Sequence, residues 1–149
     1  MSQDMLEAIH DKFVFKVKQG YLYHWDECWI KEDGELLTIG ITDFLQKTSG
    51  DVAFLELPEI GAEVEQSGKA GVIETIKATV DLISPASGMI KEVNSALEAD
   101  PQFVNSEPYE AGWLFKIAPS KWEAEKNTLM KAEEYFPVME EKIKQQVEK

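Results

Sequence analysis

The chain has 149 residues, of which 44% are hydrophobic and 29% charged, so it has the composition of an ordinary globular protein. Its length predicts one domain that buries its own core. The 28 acidic residues outnumber the 15 basic ones, and the formal net charge is -13. Because nucleic acids and anionic membranes attract basic surfaces, this charge argues against both as partners. The acidic charge is consistent with docking on basic patches of partner enzymes, and equally with a role in solubility alone.

The number of cysteines and the first twenty residues limit the cellular compartments that fit this chain. Cys28 is the only cysteine, so an internal disulfide is excluded and a reducing compartment is compatible with the chain. Residues 1–20 carry charges throughout and lack the apolar segment of a signal peptide. No run approaches the ~18 apolar residues of a membrane span. We therefore expect a cytoplasmic location, or an organelle matrix after removal of a transit peptide.

The first predicted elements are short. Residues 1–12 are polar and predict a loose or helical arm, and residues 13–17 predict a strand. Two apolar runs, 28–31 and 36–41, flank an Asp-Gly pair at 33–34, which is a strong hairpin signal.

A short helix and several further strands follow. Thr42 is the predicted N-cap of the helix, which Gly50 ends. The predicted strands cover residues 52–57, 61–64, 71–76, 80–83, 89–93 and 112–117, with a helical turn at 94–100. Many short strands at close spacing predict a sandwich or a flattened barrel.

The pattern becomes helical after the last strand. Ser120 is a predicted N-cap with Glu123 as the partner of a capping box. Phe136, Met139, Ile143 and Val147 recur at helical spacing, with Pro137 in the first helical turn. We divide the chain into an N-terminal arm (1–20), a domain (21–136) and a C-terminal helical extension (137–149).

Most signatures of enzymes are missing from the sequence. It has no phosphate-binding loop and no dinucleotide fingerprint. His10 and His24 lack partners at metal-ligand spacing, and neither stands in the context of a catalytic triad. Carboxylates are abundant, so an acid–base pair stays open. We predict no metal site and a protein that partner enzymes act upon, not an enzyme.

One lysine has an unusual setting. In residues 71–81 strand-like apolar residues lead up to Lys77 and follow it again, and a turn of small residues at 84–88 comes soon after. This pattern presents a lysine at the tip of a β-hairpin, where a modifying enzyme reaches it. The alternative is an ordinary surface lysine in a loop.

Residues 71–78, GVIETIKA, resemble the lipoylation motif of glycine cleavage system H proteins. That motif has a glycine, small apolar residues, Glu-Ser and an apolar residue before the lipoyl-lysine, and an alanine after it. Further motifs match in order and spacing, so that the resemblance covers about residues 22–136. They lie at residues 38–43, 50–52, 56–61, 84–88, 92–94, 96–98, 101, 104–105, 108–109 and 112–117.

The resemblance implies a mainly β fold with short helices. This fold is a flattened, pseudo-symmetric barrel or sandwich of antiparallel sheets, a hybrid of the lipoyl and biotinyl type, with a C-terminal helix. Lipoate would be attached covalently to Lys77, with Glu74 and Asp81 in the environment of the hairpin and the arm. The turn at 84–88 would help to shape a cleft that shelters the loaded arm.

The resemblance also implies a function. The lipoyl-lysine would carry an aminomethyl group between glycine decarboxylase, aminomethyltransferase and lipoamide dehydrogenase. A lipoyl or octanoyl transferase, or a ligase, would modify Lys77. In this role the chain is a carrier without turnover of its own.

Some residues depart from the family pattern. Glu27-Cys28-Trp29 replaces the usual His-Glu-Trp motif, which puts the standard handling of the aminomethyl group in doubt. Residues 22–24 leading to Trp29, and 119–122, resemble a divergent branch of lipoate-binding proteins. That branch serves a heterodisulfide-reductase-like complex in sulfur oxidation. A second alternative is a non-lipoylated binding or regulatory domain. We expect Cys28 to be an inert, packed thiol.

Overall fold

The computed structural model describes residues 4–147, which form short strands and helices. The strands are β1 (Met5–His10), β2 (Phe13–Lys18), β3 (Leu22–His24), β4 (Cys28–Asp33), β5 (Leu36–Ile41), β6 (Val52–Glu56), β7 (Glu63–Val64), β8 (Lys69–Thr75), β9 (Thr79–Ile83), β10 (Gly88–Val93), β11 (Phe115–Pro119) and β12 (Met130–Lys131). The helices are α1 (Asp43–Ser49), α2 (Ala96–Ala99), α3 (Phe103–Ser106), α4 (Trp122–Lys126) and α5 (Ala132–Val147).

Within this range the strands form three sheets. The largest has the order β12-β3-β4-β5-β11-β10-β7, the second is β6-β8-β9, and β1 pairs with β2 alone. Every pair of neighbouring strands in these sheets is antiparallel. This arrangement agrees with the predicted sandwich or flattened barrel.

Two turn and cap features predicted from short sequence patterns are observed in the structure. Gly34 has φ +65° and closes the β4–β5 hairpin, in which Asp33 pairs with Leu36. Thr42 caps α1, because its Oγ1 accepts a hydrogen bond from the Leu45 N–H at 3.1 Å. These two predictions are confirmed.

Two buried clusters hold the sheets and helices together. The first cluster joins the two larger sheets through Ile30, Ile39, Ile73, Leu82, Ile90 and Ile117. The second is aromatic and joins β2, β3 and β4 to α5; its large members are Tyr21, Tyr23, Trp29, Tyr109 and Tyr135. The rings of Tyr23 and Tyr135 stack with centroids 4.6 Å apart. These contacts fix α5 on the β3–β4 face.

The prediction that the N-terminal arm is loose or helical is wrong. Residues 5–10 form β1, which is neither loose nor helical, and pair with β2 from Met5–Lys18 to His10–Phe13. Leu6 and Ala8 pack against the aromatic cluster, and Glu7 between them is exposed. This period of two is the pattern of a strand with one buried face.

The C-terminal helix starts earlier than predicted. It begins at Ala132, so Pro137 lies inside α5 instead of in its first turn. A proline inside a helix removes one backbone hydrogen bond. Burial of Tyr135 and Met139, both 0% exposed, outweighs that loss. The side chain of Val147 lies outside the described residues.

Two further boundaries differ from the prediction. Ser120 does not cap a helix with Glu123; α4 follows Lys121, which makes no side-chain capping bond. The last predicted strand, 112–117, is observed as β11 at Phe115–Pro119 because Gly112 belongs to a tight turn. A Cβ at Gly112 would lie 2.4 Å from the Phe103 carbonyl oxygen.

The division into 1–20, 21–136 and 137–149 stays a prediction. In the structure Val17, Tyr135 and Met139, which come from all three parts, share the aromatic cluster. In residues 4–147 no helix is both long and apolar enough to cross a bilayer.

Candidate functional site

Lys77 lies at the tip of the β8–β9 hairpin. The two strands pair up to Glu74 and Thr79, and the Thr75 N–H donates to the Ala78 carbonyl at 2.8 Å across the turn. The Lys77 side chain is exposed. The structure therefore presents this amine to solvent at a closed turn, as the pattern of residues 71–81 predicted.

The Thr75 side chain holds the turn in place. Its Oγ1 accepts hydrogen bonds from the N–H groups of Lys77 (3.3 Å) and Ala78 (3.0 Å). The same hydroxyl donates to the Ser49 carbonyl at 2.6 Å, at the end of α1. The Ile76 N–H donates to the Asp51 carbonyl at 3.0 Å. The backbone on both sides of the amine is thus tied to the α1–β6 connection.

Gly50 lies directly beneath the Lys77 stem. It has φ +93°, and a Cβ at this position would lie 3.4 Å from both Cγ and Cε of Lys77. The aliphatic part of Lys77 therefore passes directly over the Gly50 backbone. Sequence reasoning assigned Gly50 only to the end of α1 and did not connect Thr75 or Gly50 with Lys77. The one available signal was a hydroxyl residue two positions before the lysine, where it can form an ST turn.

Glu74 and Asp81, the other predicted site residues, lie on the arms of the hairpin. Both side chains are exposed. The Asp81 carboxylate lies 3.4 Å from Nζ of Lys69, and Asp81 pairs across the strands with Val72. The ion pair of Asp81 with Lys69 therefore lies away from the tip, and the two acids contribute negative charge along the hairpin.

The turn at 84–88 lies at the other end of β9. The five residues of β9 separate it from Lys77, which at ~3.3 Å per residue is ~17 Å. The Ser87 N–H and hydroxyl donate to the Glu125 carboxylate at 2.7 and 2.5 Å. The expectation that this turn shapes a cleft for the arm is therefore not met, because it is buried and anchors α4.

Ser67, His24 and Asp26 come together in a way that the sequence analysis missed. His24 Nε2 lies 2.9 Å from Ser67 Oγ, although 43 residues separate them. However, His24 Nδ1 accepts the Asp26 N–H at 3.0 Å, so the ring proton is on Nε2 and is donated to Ser67. Burial lowers the pKa of His24, opposed by the Asp26 carboxylate. A histidine in this tautomer cannot activate the serine as a nucleophile.

The segment Glu27-Cys28-Trp29 is buried. Cys28 Sγ donates to the Ile83 carbonyl at 2.9 Å, and burial raises the pKa of the thiol. This geometry supports the expected inert thiol, because the thiolate is the reactive form. Trp29 Nε1 donates to the Pro108 carbonyl at 2.9 Å. In the part of the chain described, no three His, Cys, Asp or Glu residues are grouped to hold a metal ion.

The Glu27 carboxylate binds three groups. The Thr42 hydroxyl donates to its Oε1 at 2.7 Å, the Tyr135 hydroxyl donates to the same oxygen, and Lys142 Nζ lies 2.6 Å from Oε2. Tyr135 and Lys142 belong to α5, whereas Glu27 precedes β4. Glu27 therefore fastens the C-terminal helix to the sheet.

Comparison with known proteins places these features in a family. The model of the glycine cleavage H-protein family matches residues 21–142. The glycine cleavage system H protein of Carboxydothermus hydrogenoformans is 44% identical over 119 residues, covering 80% of this chain and 91% of that protein. A probable glycine cleavage system H protein of Thermococcus gammatolerans is 44% identical over 128 residues, covering 85% and 94%.

A solved structure agrees with the fold as well. The crystal structure of a glycine cleavage system H protein from Mycobacterium marinum superimposes with a TM-score of 0.71 at 34% identity. The superposition covers 80% of this chain and 95% of that chain. The predicted mainly β fold is confirmed, and neither the sulfur-oxidation alternative nor the non-lipoylated alternative gains support from these relatives. The chain belongs to the glycine cleavage H-protein family.

Proposed function

We propose that this chain is the lipoyl carrier of a glycine cleavage system and that the lipoyl group is attached to Nζ of Lys77. Membership of the H-protein family supports the carrier role. The observation that carries the assignment to Lys77 is its exposed side chain at the tip of a hairpin whose turn is fixed by Thr75.

The residues around Lys77 fit an acylated lysine. Amide formation removes the charge of the amine, so the modified side chain needs no counter-ion. The stem at the base of the arm lies over Gly50, within van der Waals range of a Cβ at that position. When bound, lipoate supplies the dithiolane that accepts the aminomethyl group and is reduced in that step.

The chain's own residues present the arm. Thr75, Ser49 and Asp51 hold the turn, so that the arm moves from a fixed point. Tethering gives the arm a high effective concentration at any enzyme on which the protein docks. The net charge of -13 steers the carrier toward basic docking surfaces.

The partners follow from this role. They are glycine decarboxylase, aminomethyltransferase and lipoamide dehydrogenase, together with the lipoyl or octanoyl transferase or ligase that modifies Lys77. The carrier itself has no catalytic turnover, and its location is the cytoplasm.

Mass spectrometry of native protein tests the attachment site. A lipoyl-sized mass increase is expected on the peptide that contains Lys77, and Lys77→Arg is expected to abolish it. Lys69→Arg is the matched control, because Lys69 is an exposed lysine in β8 of the same hairpin. A bare Lys77 in native material contradicts the attachment site.

Reconstitution tests the pathway. Lipoylated protein is expected to support carbon dioxide exchange by glycine decarboxylase, and the Lys77→Arg protein is not. If the lipoylated protein supports no exchange, the glycine pathway is wrong, and activity with a heterodisulfide-reductase-like complex becomes the next measurement.

A further inference from the structure

Two large apolar side chains stand exposed at the end of the sheet that carries Lys77. Ile76, which directly precedes the lysine, is 74% exposed, and Phe54 in β6 is 57% exposed. In the described part of the chain, neither side chain belongs to the two buried clusters that hold the fold together. Single exposed apolar residues are common on protein surfaces, but these two lie on neighbouring segments beside one amine. Packing of the core therefore does not explain this apolar patch (Ile76 and Phe54).

The strand register brings Phe54 to the tip of the hairpin. Phe54 pairs with Glu74 of β8, and the register of the β6–β8 pair shifts between Val52 and Phe54, as at a β-bulge. Bulges re-aim side chains and are common next to functional sites. Leu55 pairs with Ile73, which is 1% exposed, so Phe54 and Glu74 share the opposite, exposed face. Phe54 thus lies level with the end of the hairpin, next to the turn that carries the lysine.

Isoleucine is an unusual residue for a turn of this kind. Gly, Asn, Asp, Ser and Pro are the residues that favour turns, each through its backbone geometry or a local hydrogen bond. Ile76 is nevertheless held in place, because its N–H donates to the Asp51 carbonyl at 3.0 Å. The next two N–H groups, of Lys77 and Ala78, both donate to the Thr75 hydroxyl. The protein therefore presents an apolar side chain from a fixed backbone directly beside the amine.

We propose that the apolar patch is the surface by which the enzyme that acylates Lys77 recognises this chain, an inference that rests on the proposed function. The stem of a lysine is roughly 6 Å long from Cα to Nζ, so an enzyme that reacts at Nζ has to cover the adjacent Ile76. Covering an exposed apolar side chain contributes free energy to the association. The matching site on that enzyme is an apolar socket that receives Ile76, with Phe54 at its edge.

The charges around the apolar patch define the rim of this socket. The side chains of Asp51 and Glu74 are exposed beside the patch, and Asp81 follows on β9. The Lys69 ammonium, at the far end of β8, lies 3.4 Å from the Asp81 carboxylate. Acidic groups therefore surround the patch at the tip, and an apolar socket with a basic rim complements them.

The position of the apolar patch favours the modifying enzyme over the enzymes that use the loaded arm. The modifying enzyme reacts at Nζ itself, close to the backbone of the turn. The partners of the loaded carrier react at the sulfur atoms, which the acyl chain holds further from Ile76. Contacts with Ile76 therefore promote the loading step and contribute little to the later steps.

Loading kinetics of the full-length, unmodified protein with a purified lipoyl ligase test the apolar patch. Ile76→Ser should lower kcat/KM for loading about tenfold, mainly through KM, because an apolar contact is lost. Serine suits a turn better than isoleucine, so this change does not weaken the turn itself. Ile76→Leu should restore most of the rate, since it keeps the apolar volume. Phe54→Ser should lower kcat/KM by at least about threefold.

Ile60→Ser is the matched control for these variants. Ile60 is 65% exposed, like Ile76, but lies between β6 and β7, outside the three-stranded sheet. Equal values of kcat/KM for Ile76→Ser and Ile60→Ser overturn the proposal. A loss in Ile76→Leu as large as that in Ile76→Ser also overturns it, because an apolar socket accepts leucine.

Protein loaded to completion gives a second readout, with intact mass to verify the loading. Lipoamide dehydrogenase should reduce the loaded wild-type and Ile76→Ser proteins at equal rates. A loss in this step as large as the loss in loading overturns the assignment to the modifying enzyme. Failure of the ligase to load wild-type Lys77 overturns the proposed function and this inference together. Loading that does not depend on Ile76 overturns this inference alone.

Discussion

The Thr75 hydroxyl donates to the Ser49 carbonyl at 2.6 Å, which joins the turn that carries Lys77 to the end of α1. The same oxygen accepts the N–H groups of Lys77 and Ala78. One side chain therefore fixes both the shape of the turn and its position on the body of the protein. The exposed lysine stands on a rigid base, which suits recognition by a modifying enzyme.

Replacement of Thr75 by valine should loosen this base. Thr75→Val keeps the β-branched shape but removes the hydroxyl, and we expect a loss of about 1–2 kcal/mol in the free energy of unfolding. The rate of lipoylation of Lys77 should fall as well, because its turn is less ordered. Urea denaturation and a lipoyl ligase assay measure the two effects. Thr79→Val is the control at an exposed position on β9, and equal lipoylation rates in the two variants would contradict the role of Thr75.

Substitution of Gly50 should separate backbone strain from contact with the lysine. Gly50 and Gly61 both have φ +93°, so an alanine at either position should cost about 1 kcal/mol or more of stability. A Cβ at Gly50 would contact Lys77, whereas nothing lies within 4 Å of a Cβ at Gly61. We expect Gly50→Ala alone to slow lipoylation. If Gly61→Ala slows it equally, general destabilisation explains the effect.

Glu27 should stabilise the attachment of α5. Glu27→Gln removes the charge that faces Lys142 at 2.6 Å and disturbs the bonds from Thr42 and Tyr135. We expect a loss of about 2 kcal/mol in the free energy of unfolding, because Lys142 remains partly buried without its partner. Thermal and urea denaturation measure the loss. Glu140→Gln, at an exposed glutamate of α5, should change stability little.

Glu32 should make part of the stability depend on pH. The Trp122 indole N–H donates to its Oε2 at 3.0 Å and Lys126 pairs with it, and these bonds hold the pKa of Glu32 below its ordinary value of 4.5. The unfolded chain therefore binds the proton more readily. This contribution is fully present above pH 4.5 and is lost as the pH falls through the folded pKa.

Unfolding measurements across pH test the role of Glu32. The difference in unfolding free energy between wild type and Glu32→Gln should be largest above pH 4.5 and shrink as the pH falls below it. Glu35→Gln in the same hairpin is the control. A difference that stays constant with pH would contradict the contribution of the ion pair.

Much of the site follows from local sequence. The apolar residues on both sides of Lys77 predict its hairpin, Asp33-Gly34 predicts the β4–β5 turn, and Thr42 predicts the start of α1. Each of these three features depends on residues that are close together in the sequence. They are the alternation of side chains along a strand, a positive φ in a turn and a capping hydrogen bond. Such interactions are readable from a few consecutive residues.

Only the tertiary structure decided which distant segments meet, at Lys77 and elsewhere. The passage of the Lys77 stem over Gly50, the bond between His24 and Ser67, and the fastening of α5 by Glu27 all join residues far apart in sequence. Burial of Tyr135 and Met139 also stabilises α5 as a continuous helix across Pro137, although proline disfavours the interior of a helix. Long-range contacts depend on which surfaces the fold brings together, so no short segment of the sequence contains them.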